Sequence, residues 1–405
     1  LRGPLEMAGE GFARRGVMSF DELADNAEAE IETRHIRFGD AAAVLWTSGT
    51  TGKPKGVIQS HNVWIRAALN NDRLYGTRPG DVAYNCLPLY NSAAWVANIY
   101  RALSTGIPCA LDEQFSVSKF WGRIRHYGAT QTMTLGAMHM FLWNEPRRTD
   151  DADNPLRVAS MVPMPQKLIA PFCERFGLEA IVQGLGQSEV MPILSKVETP
   201  ARQCKPNALG KLFDDMEVKL LRDDGEEAGP GEVGEFSIRP LAPHVIFSGY
   251  FDDPEATSRA YRGEWYCTGD LGMKDAEGDY YFVDRKKDYI RYKGRNISSL
   301  QVEGIAAGHP AAKAAAVYGV PSDTLESEHE IKLDVILKAG QPLHPEELAR
   351  FINERAPYFC VPRYIEFVAG LPYTPTQKLE KYKLRERGIT ASAWDRLKSG
   401  FELQR

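Results

Sequence analysis

The chain of 405 residues has little cysteine, no long apolar run and no excess of positive charge, and each shortage removes a class of protein. Its six cysteines, Cys86, Cys109, Cys173, Cys204, Cys267 and Cys360, are scattered and form no C-x-x-C pair. That excludes a disulfide framework or a zinc ribbon and reads as reduced thiols, so a cytoplasmic location is expected. No segment approaches the roughly 18 consecutive apolar residues of an integral membrane segment. Residues 1–15 carry no apolar signal core. A formal charge of −5 gives no basic footprint, so no nucleic-acid partner is expected. Internal repeats and low-complexity segments are absent too.

What remains is ordinary globular usage, with 43% hydrophobic and 25% charged residues. At about 150 residues per domain, the length predicts two to three domains. Between residues 41 and 194, short β-rich runs (43–47, 82–87, 107–111, 180–183) alternate with helical stretches such as 61–74. This alternation predicts an α/β layered domain with a largely parallel sheet. Residues 216–239 change to a β-meander, with strands at 216–221 and 234–238 and a turn at 223–225. Beyond Arg285 a smaller unit follows, with strand-like runs at 288–295, 314–320 and 331–337 and a helix from 346 to 355. Glu346 and Arg350, four residues apart, suit the exposed face of that helix.

The most informative segment is Thr47-Ser48-Gly49-Thr50-Thr51-Gly52-Lys53-Pro54-Lys55-Gly56. Glycines let backbone N–H groups approach a polyphosphate closely, and the hydroxyls and two lysines add donors and positive charge. A Walker A loop needs Gly-Lys followed by Ser or Thr, whereas Pro54 follows Lys53 and denies that lysine the α conformation. The string resembles the signature loop of the acyl-adenylate-forming enzymes, which include acyl-CoA synthetases, adenylation domains and firefly luciferase.

Further blocks carry the same resemblance in the same order. Gln183-Gly184-Leu185-Gly186-Gln187-Ser188-Glu189 resembles the family's Q-G-Y-G-x-T-E block. By that resemblance residues 184–186 lie along adenine, Ser188 touches the α-phosphate region and Glu189 ligates Mg²⁺, which usually takes only one or two protein carboxylates. Tyr266-Cys267-Thr268-Gly269-Asp270-Leu271-Gly272 resembles the T-G-D block, whose aspartate takes both ribose hydroxyls; Ser248-Gly249-Tyr250 and residues 253–257 precede it as family counterparts. In the 284–288 run that follows, Arg285 is implied as a second ribose contact and Lys287 as the hinge. Gly294 is implied to flank the pantetheine channel. Residues 372–379 resemble the P-x-T-x-x-G-K block, which makes Lys378 the adenylation lysine. By position in the family pattern, the acyl pocket draws on Asn91, Trp95, Gly136, Ala137, Met138, Gly184, Leu185, Pro192 and Ile193.

The resemblance implies an α/β fold: a large N-terminal domain over 1–284, a hinge at 285–288, and a smaller mobile α+β C-terminal domain over 289–405. It implies ATP-dependent activation of a small-molecule carboxylic acid, pyrophosphate release and transfer to coenzyme A, with Mg²⁺ as metal. Because an oxide leaving group is poor, the carboxylate is first converted to an acyl-adenylate. The protein's task is then charge neutralisation and in-line positioning, with Lys53 and Lys55 at the β/γ-phosphates and Lys378 at the α-phosphate. Dimers are common in the family, so a homodimer is an open expectation. Glu174-Arg175-Phe176-Gly177 points toward crotonobetaine/carnitine–CoA ligases, and the wider resemblance covers coumarate– and fatty-acid–CoA ligases.

Several positions depart from the pattern. Leu185 stands for an aromatic, Asn91 for a histidine tied to acyl-pocket gating, and Gln377 for the glycine before the lysine. Residues 161–165, Met-Val-Pro-Met-Pro, replace a Gly/Ala-rich segment. Family members also carry a longer segment before the phosphate loop, so part of the large domain is expected to be missing here. The alternatives are transfer to a carrier-protein pantetheine or an amine, and a non-catalytic nucleotide-binding relative.

Overall fold

A computed structural model describes residues 35–47, 54–136, 138–202, 204–293, 295–323, 328–374 and 379–404. Among the described residues, all helices and strands lie in the unit Phe38–Arg405. Strand β1 (Ala41–Thr47) pairs antiparallel with β2 (Lys55–Ser60), Thr47 facing Lys55 across the ends of the glycine-rich connection. Helix α1 (His61–Tyr75) starts directly, because the Ser60 hydroxyl accepts the Val63 amide at 3.3 Å, and Gly76 ends it in the left-handed conformation.

A seven-stranded sheet follows, built from β3 (Ala83–Asn85), β4 (Cys109–Leu111), β5 (Gln131–Leu135), β6 (Val158–Val162), β7 (Ala180–Leu185), β8 (Leu194–Glu198) and β9 (Lys211–Leu212). Its order is β4-β3-β5-β6-β7-β8-β9, parallel as far as β7 and antiparallel beyond. The strands expected at 82–87 and 107–111 are shorter than the apolar runs suggest. Helices α2 (Val117–Tyr127) and α3 (Gln166–Phe176) cover one face. Phe120, Phe172 and Phe176 pack there with Ala159, Met161 and Ile181.

The next region is β-rich. β10 (Met216–Leu221), β11 (Val233–Pro240), β13 (Tyr261–Arg262), β14 (Trp265–Lys274) and β15 (Tyr280–Arg285) form an antiparallel sheet, while β12 (Gly249–Tyr250) joins β2. The expected meander strands at 216–221 and 234–238 correspond to β10 and β11. Short helix α4 (Pro254–Arg259) is capped by Asp253, whose carboxylate accepts the Ala256 amide at 2.9 Å.

Past Arg285 the run 288–295 is a hairpin rather than one strand: β16 (Ile290–Tyr292) and β17 (Arg295–Ile297). Helix α5 (Ser299–Ala307) then leads to the sheet β18 (Ala312–Pro321), β19 (His329–Leu337), β20 (Tyr364–Phe367) and β21 (Trp394–Asp395). Helix α6 (Pro345–Asn353) carries the Glu346–Arg350 pair at 3.4 Å. Helix α7 (Lys381–Arg387) follows the expected adenylation-lysine segment. Lys332 is fully buried and is neutralised by Asp334 at 2.8 Å and Glu366 at 2.7 Å, with Tyr318 completing its hydrogen bonds. All six cysteines are free thiols. Among the described residues no helix is long and apolar enough to cross a membrane.

Candidate active site

Two cavities meet just past the carboxyl end of β7, where ligands gather in parallel α/β sheets. The first is about 620 Å³ and polar. The second is about 470 Å³ and predominantly apolar. Gly186, Gln187, Ser188, Asp270 and Arg285 line both.

In the first cavity, Gln187 is the knot. Its amide oxygen accepts the Tyr266 hydroxyl at 2.8 Å, while its NH₂ donates to the Thr268 carbonyl at 3.0 Å and to Asp270 at 2.9 Å. Asp270 stands at the end of a bulge in β14: Glu235 faces Leu271 but Ser237 faces Cys267, so the pairing slips across residues 268–270. Gly269 takes a φ of 74°, which other residues adopt only with strain. Its amide donates to the Glu235 carboxylate at 2.9 Å. The bulge turns Asp270 into the cavity, with Arg285 opposite it on β15 and its Nε 3.6 Å from the carboxylate. Lys286 is already paired, with Asp223 at 2.8 Å and Glu235 at 3.0 Å. Its neighbour Lys287 lines the cavity, and burial depresses its pKa to about 8.

Glu189 is buried at 8% exposure, and desolvation holds its carboxyl above the ordinary glutamate range. Tyr250 donates its hydroxyl to the Glu189 carboxylate at 2.9 Å, and the Lys55 ammonium sits 4.6 Å from the Tyr250 ring. A single carboxylate ligand suits a magnesium ion that keeps phosphate oxygens and water as its other ligands. Among the described residues no group of three or more His, Cys, Asp or Glu could cage a metal by itself. Ser188 Oγ lies 3.1 Å from Ser92 Oγ, and the Ser188 carbonyl accepts from Gln59 at 2.7 Å.

The second cavity lies over the sheet face opposite α2 and α3. On β6, Ala159 and Met161 enter the core, so Ser160 and Val162 face the cavity, as strand alternation requires. Met133 and Leu135 of β5, and Val182 and Gly184 of β7, continue that surface. A Cβ on Gly184 would stand 2.2 Å from the Leu194 carbonyl of β8, which explains glycine there. Leu74 on α1 and Val96 and Ala97 on the π-helical turn Ala94–Ile99 close the wall. Arg66 of α1 ties that wall down, donating to the Met191 carbonyl at 2.6 Å and pairing with Asp215.

Thr47, Lys55, Gly186, Ser188, Glu189, Asp270, Arg285 and Lys287 thus meet in the first cavity, and Asn91, Gly184, Leu185 and Pro192 in the second. Four residues expected in the acyl pocket do not line it. Trp95 packs at a tilt against Trp64, ring centres 5.2 Å apart, and donates to the Leu89 carbonyl, Met138 packs with Leu87 and Ala94, and Ile193 enters the β-rich core. Gly136 serves the backbone, donating its amide to the Val162 carbonyl at 3.0 Å. Ser48, Gly49, Thr50, Thr51, Gly52, Lys53, Ala137, Gly294 and Lys378 lie outside the described residues. Sequence reasoning missed the roles of Tyr266, Gln187 and Tyr250, although the blocks holding all three were visible.

The AMP-binding enzyme family matches residues 9–251, and its C-terminal domain matches residues 301–378. The chain is 30% identical to a crotonobetaine/carnitine–CoA ligase of Escherichia coli over 374 residues, covering 91% of this chain and 71% of that protein. Among solved structures, o-succinylbenzoate CoA synthetase from Bacillus subtilis with ATP and magnesium superposes with a TM-score of 0.78 at 28% identity, covering 90% of this chain and 74% of that one. An amide bond synthetase from Marinactinospora thermotolerans gives a TM-score of 0.73 at 29% identity, covering 86% and 69%. The architecture, a mixed α/β large domain followed by a smaller C-terminal one, is the adenylate-forming enzyme fold. The chain belongs to the AMP-binding enzyme family.

Proposed function

We propose that this chain is an AMP-forming acid–thiol ligase that joins a carboxylic acid to coenzyme A at the expense of ATP. The observation that carries this reading is the junction at residues 186–188, where a polar cavity holding Asp270 and Glu189 opens into an apolar one. A nucleotide anchored by its ribose on Asp270 and Arg285 then presents its α-phosphate where the carboxylate of an acid in the second cavity arrives. One carboxylate oxygen attacks the α-phosphorus, the bond to the bridging oxygen breaks, and pyrophosphate leaves. The coenzyme A sulfur next attacks the acyl carbon, loses its proton, and AMP departs.

In this reading Lys55 and residues 47–53 hold the β/γ-phosphates, Ser188 the α-phosphate region, and Lys378 both the carboxylate and the α-phosphate. Glu189 would hold the magnesium ion, which supplies charge neutralisation on the triphosphate. Lys287 serves as the hinge of a small domain over 289–405, whose rotation withdraws Lys378 and brings Gly294 to the thiol channel. The protein is proposed to act in the cytoplasm, with a homodimer as its assembly. Transfer to a carrier protein or an amine, and a binding-only role, are less favoured because the curated relatives are CoA ligases.

Incubation with Mg²⁺, ATP, coenzyme A and an accepted acid should form acyl-CoA, AMP and pyrophosphate in equal amounts. ADP and phosphate in their place, or AMP without thioester, would contradict the assignment.

A further inference from the structure

The second cavity also bears on the chemical class of acid, an inference that depends on the ligase reading above. Its only charged lining residues among those described are Asp270 and Arg285, which face each other at the rim shared with the nucleotide cavity. Elsewhere the wall is Leu74, Val96, Met133, Leu135, Val162 and Val182, with further apolar residues around them.

Four of the polar side chains in that wall are engaged by the protein itself. Asn71 donates to the Ala67 carbonyl at 2.8 Å, and Asn91 accepts the Ala93 amide at 3.0 Å. Gln183 accepts the Met164 amide at 3.0 Å and donates to Glu198 at 3.1 Å. Ser92 is spent on Ser188. A second charge on the acid, buried in this wall, would lose its water and, among the described residues, meet no opposite charge away from the rim. A quaternary ammonium would in addition need an aromatic cage, and Phe282 is the only aromatic ring among the described lining residues.

We infer that the acid carries a single carboxylate on an uncharged, apolar body, and that the cavity rejects betaines and dicarboxylates. Apolar burial then supplies the affinity, so affinity rises with each added methylene until the cavity is full. Ala97 is one limit on that length, because its methyl lies in the wall where a larger side chain would intrude.

The test measures two things on the full chain with Mg²⁺ and ATP: acid-dependent exchange of labelled pyrophosphate into ATP, and direct acid binding by calorimetry. The probes are butyrate, hexanoate, octanoate and benzoate against crotonobetaine, carnitine, succinate and adipate. Expected is binding and exchange for uncharged acids, with each charged acid at least 100-fold weaker. Ala97→Phe should lower kcat/KM for octanoate about tenfold more than for butyrate. Comparable or better use of a betaine or dicarboxylate would overturn the inference while leaving the ligase reading intact. Binding of uncharged acids without exchange would support the inference and count against the ligase reading. No binding by any uncharged acid would overturn the inference.

Discussion

Tyr250 gives its hydroxyl to the Glu189 carboxylate at 2.9 Å, joining the strand that pairs with β2 to the loop that follows β7. Burial drives the Glu189 pKa up, and this hydrogen bond is the largest influence drawing it back. The carboxylate must be ionised to hold a metal ion, so activity should fall on the acid side at a higher pH than an ordinary glutamate would give. Tyr250→Phe should move that acid limb of the kcat/KM profile further up. At neutral pH it should cost about tenfold or more, as expected for loss of a hydrogen bond to a charged group. A pH profile of both proteins checks it.

The same burial makes Glu189 a liability to the empty fold. Its folded pKa is raised above the unfolded value, so its favourable contribution is present at pH below the unfolded value and is lost as pH rises through the folded one. Glu189→Gln keeps an acceptor for Tyr250 without the charge. Thermal melts of the ligand-free proteins should show the variant more stable at pH 8, with the advantage shrinking toward pH 4. Its adenylation should be lost, the trade-off expected where function demands a buried charge.

Gln187 joins Tyr266, Thr268 and Asp270 with three hydrogen bonds. In Gln187→Ala the Tyr266 hydroxyl, in a buried residue, loses its acceptor and Asp270 loses a donor that orients it. KM for ATP should rise about tenfold, equivalent to ~1.4 kcal/mol, with a smaller change in kcat. Steady-state kinetics with ATP varied separates the two.

Much of this site could be read from the chain because its chemistry sits in contiguous blocks. Residues 183–189 and 268–270 each bring their own turn and their own carboxylate. The acyl wall was harder. Pro192 lines the cavity while its neighbour Ile193 is buried in the β-rich core, a choice made by pairing partners far along the chain. The Tyr100 amide reaches back to the Trp95 carbonyl, a π-helical bond that a regular helical period does not anticipate, and the wall there is Val96 and Ala97 rather than Trp95. The α/β layering followed from alternating runs, yet β3 and β4 use only three residues each of those apolar stretches.

Lys287 titrates near the working range. Its pKa of about 8 lies below that of a free lysine because burial disfavours the charge. A depressed lysine contributes stability that is present above its unfolded pKa and lost as pH falls through about 8. Lys287→Gln should therefore stabilise the ligand-free protein below that pH. Its positive charge faces the polar cavity only at lower pH, so ATP affinity in the native protein should decline as pH rises through 8, and the variant should lack that slope. Calorimetric titration at three pH values resolves it.

The central claim is that this chain makes an acyl-adenylate and uses Lys378 to do so. Its most direct measurement is exchange of labelled pyrophosphate into ATP, dependent on an added acid, in the native protein and in Lys378→Ala. The account predicts exchange in the native protein, at least 100-fold less in the variant, and unchanged folding of the two by circular dichroism. Exchange that persists undiminished in Lys378→Ala, or that needs no acid, would contradict it.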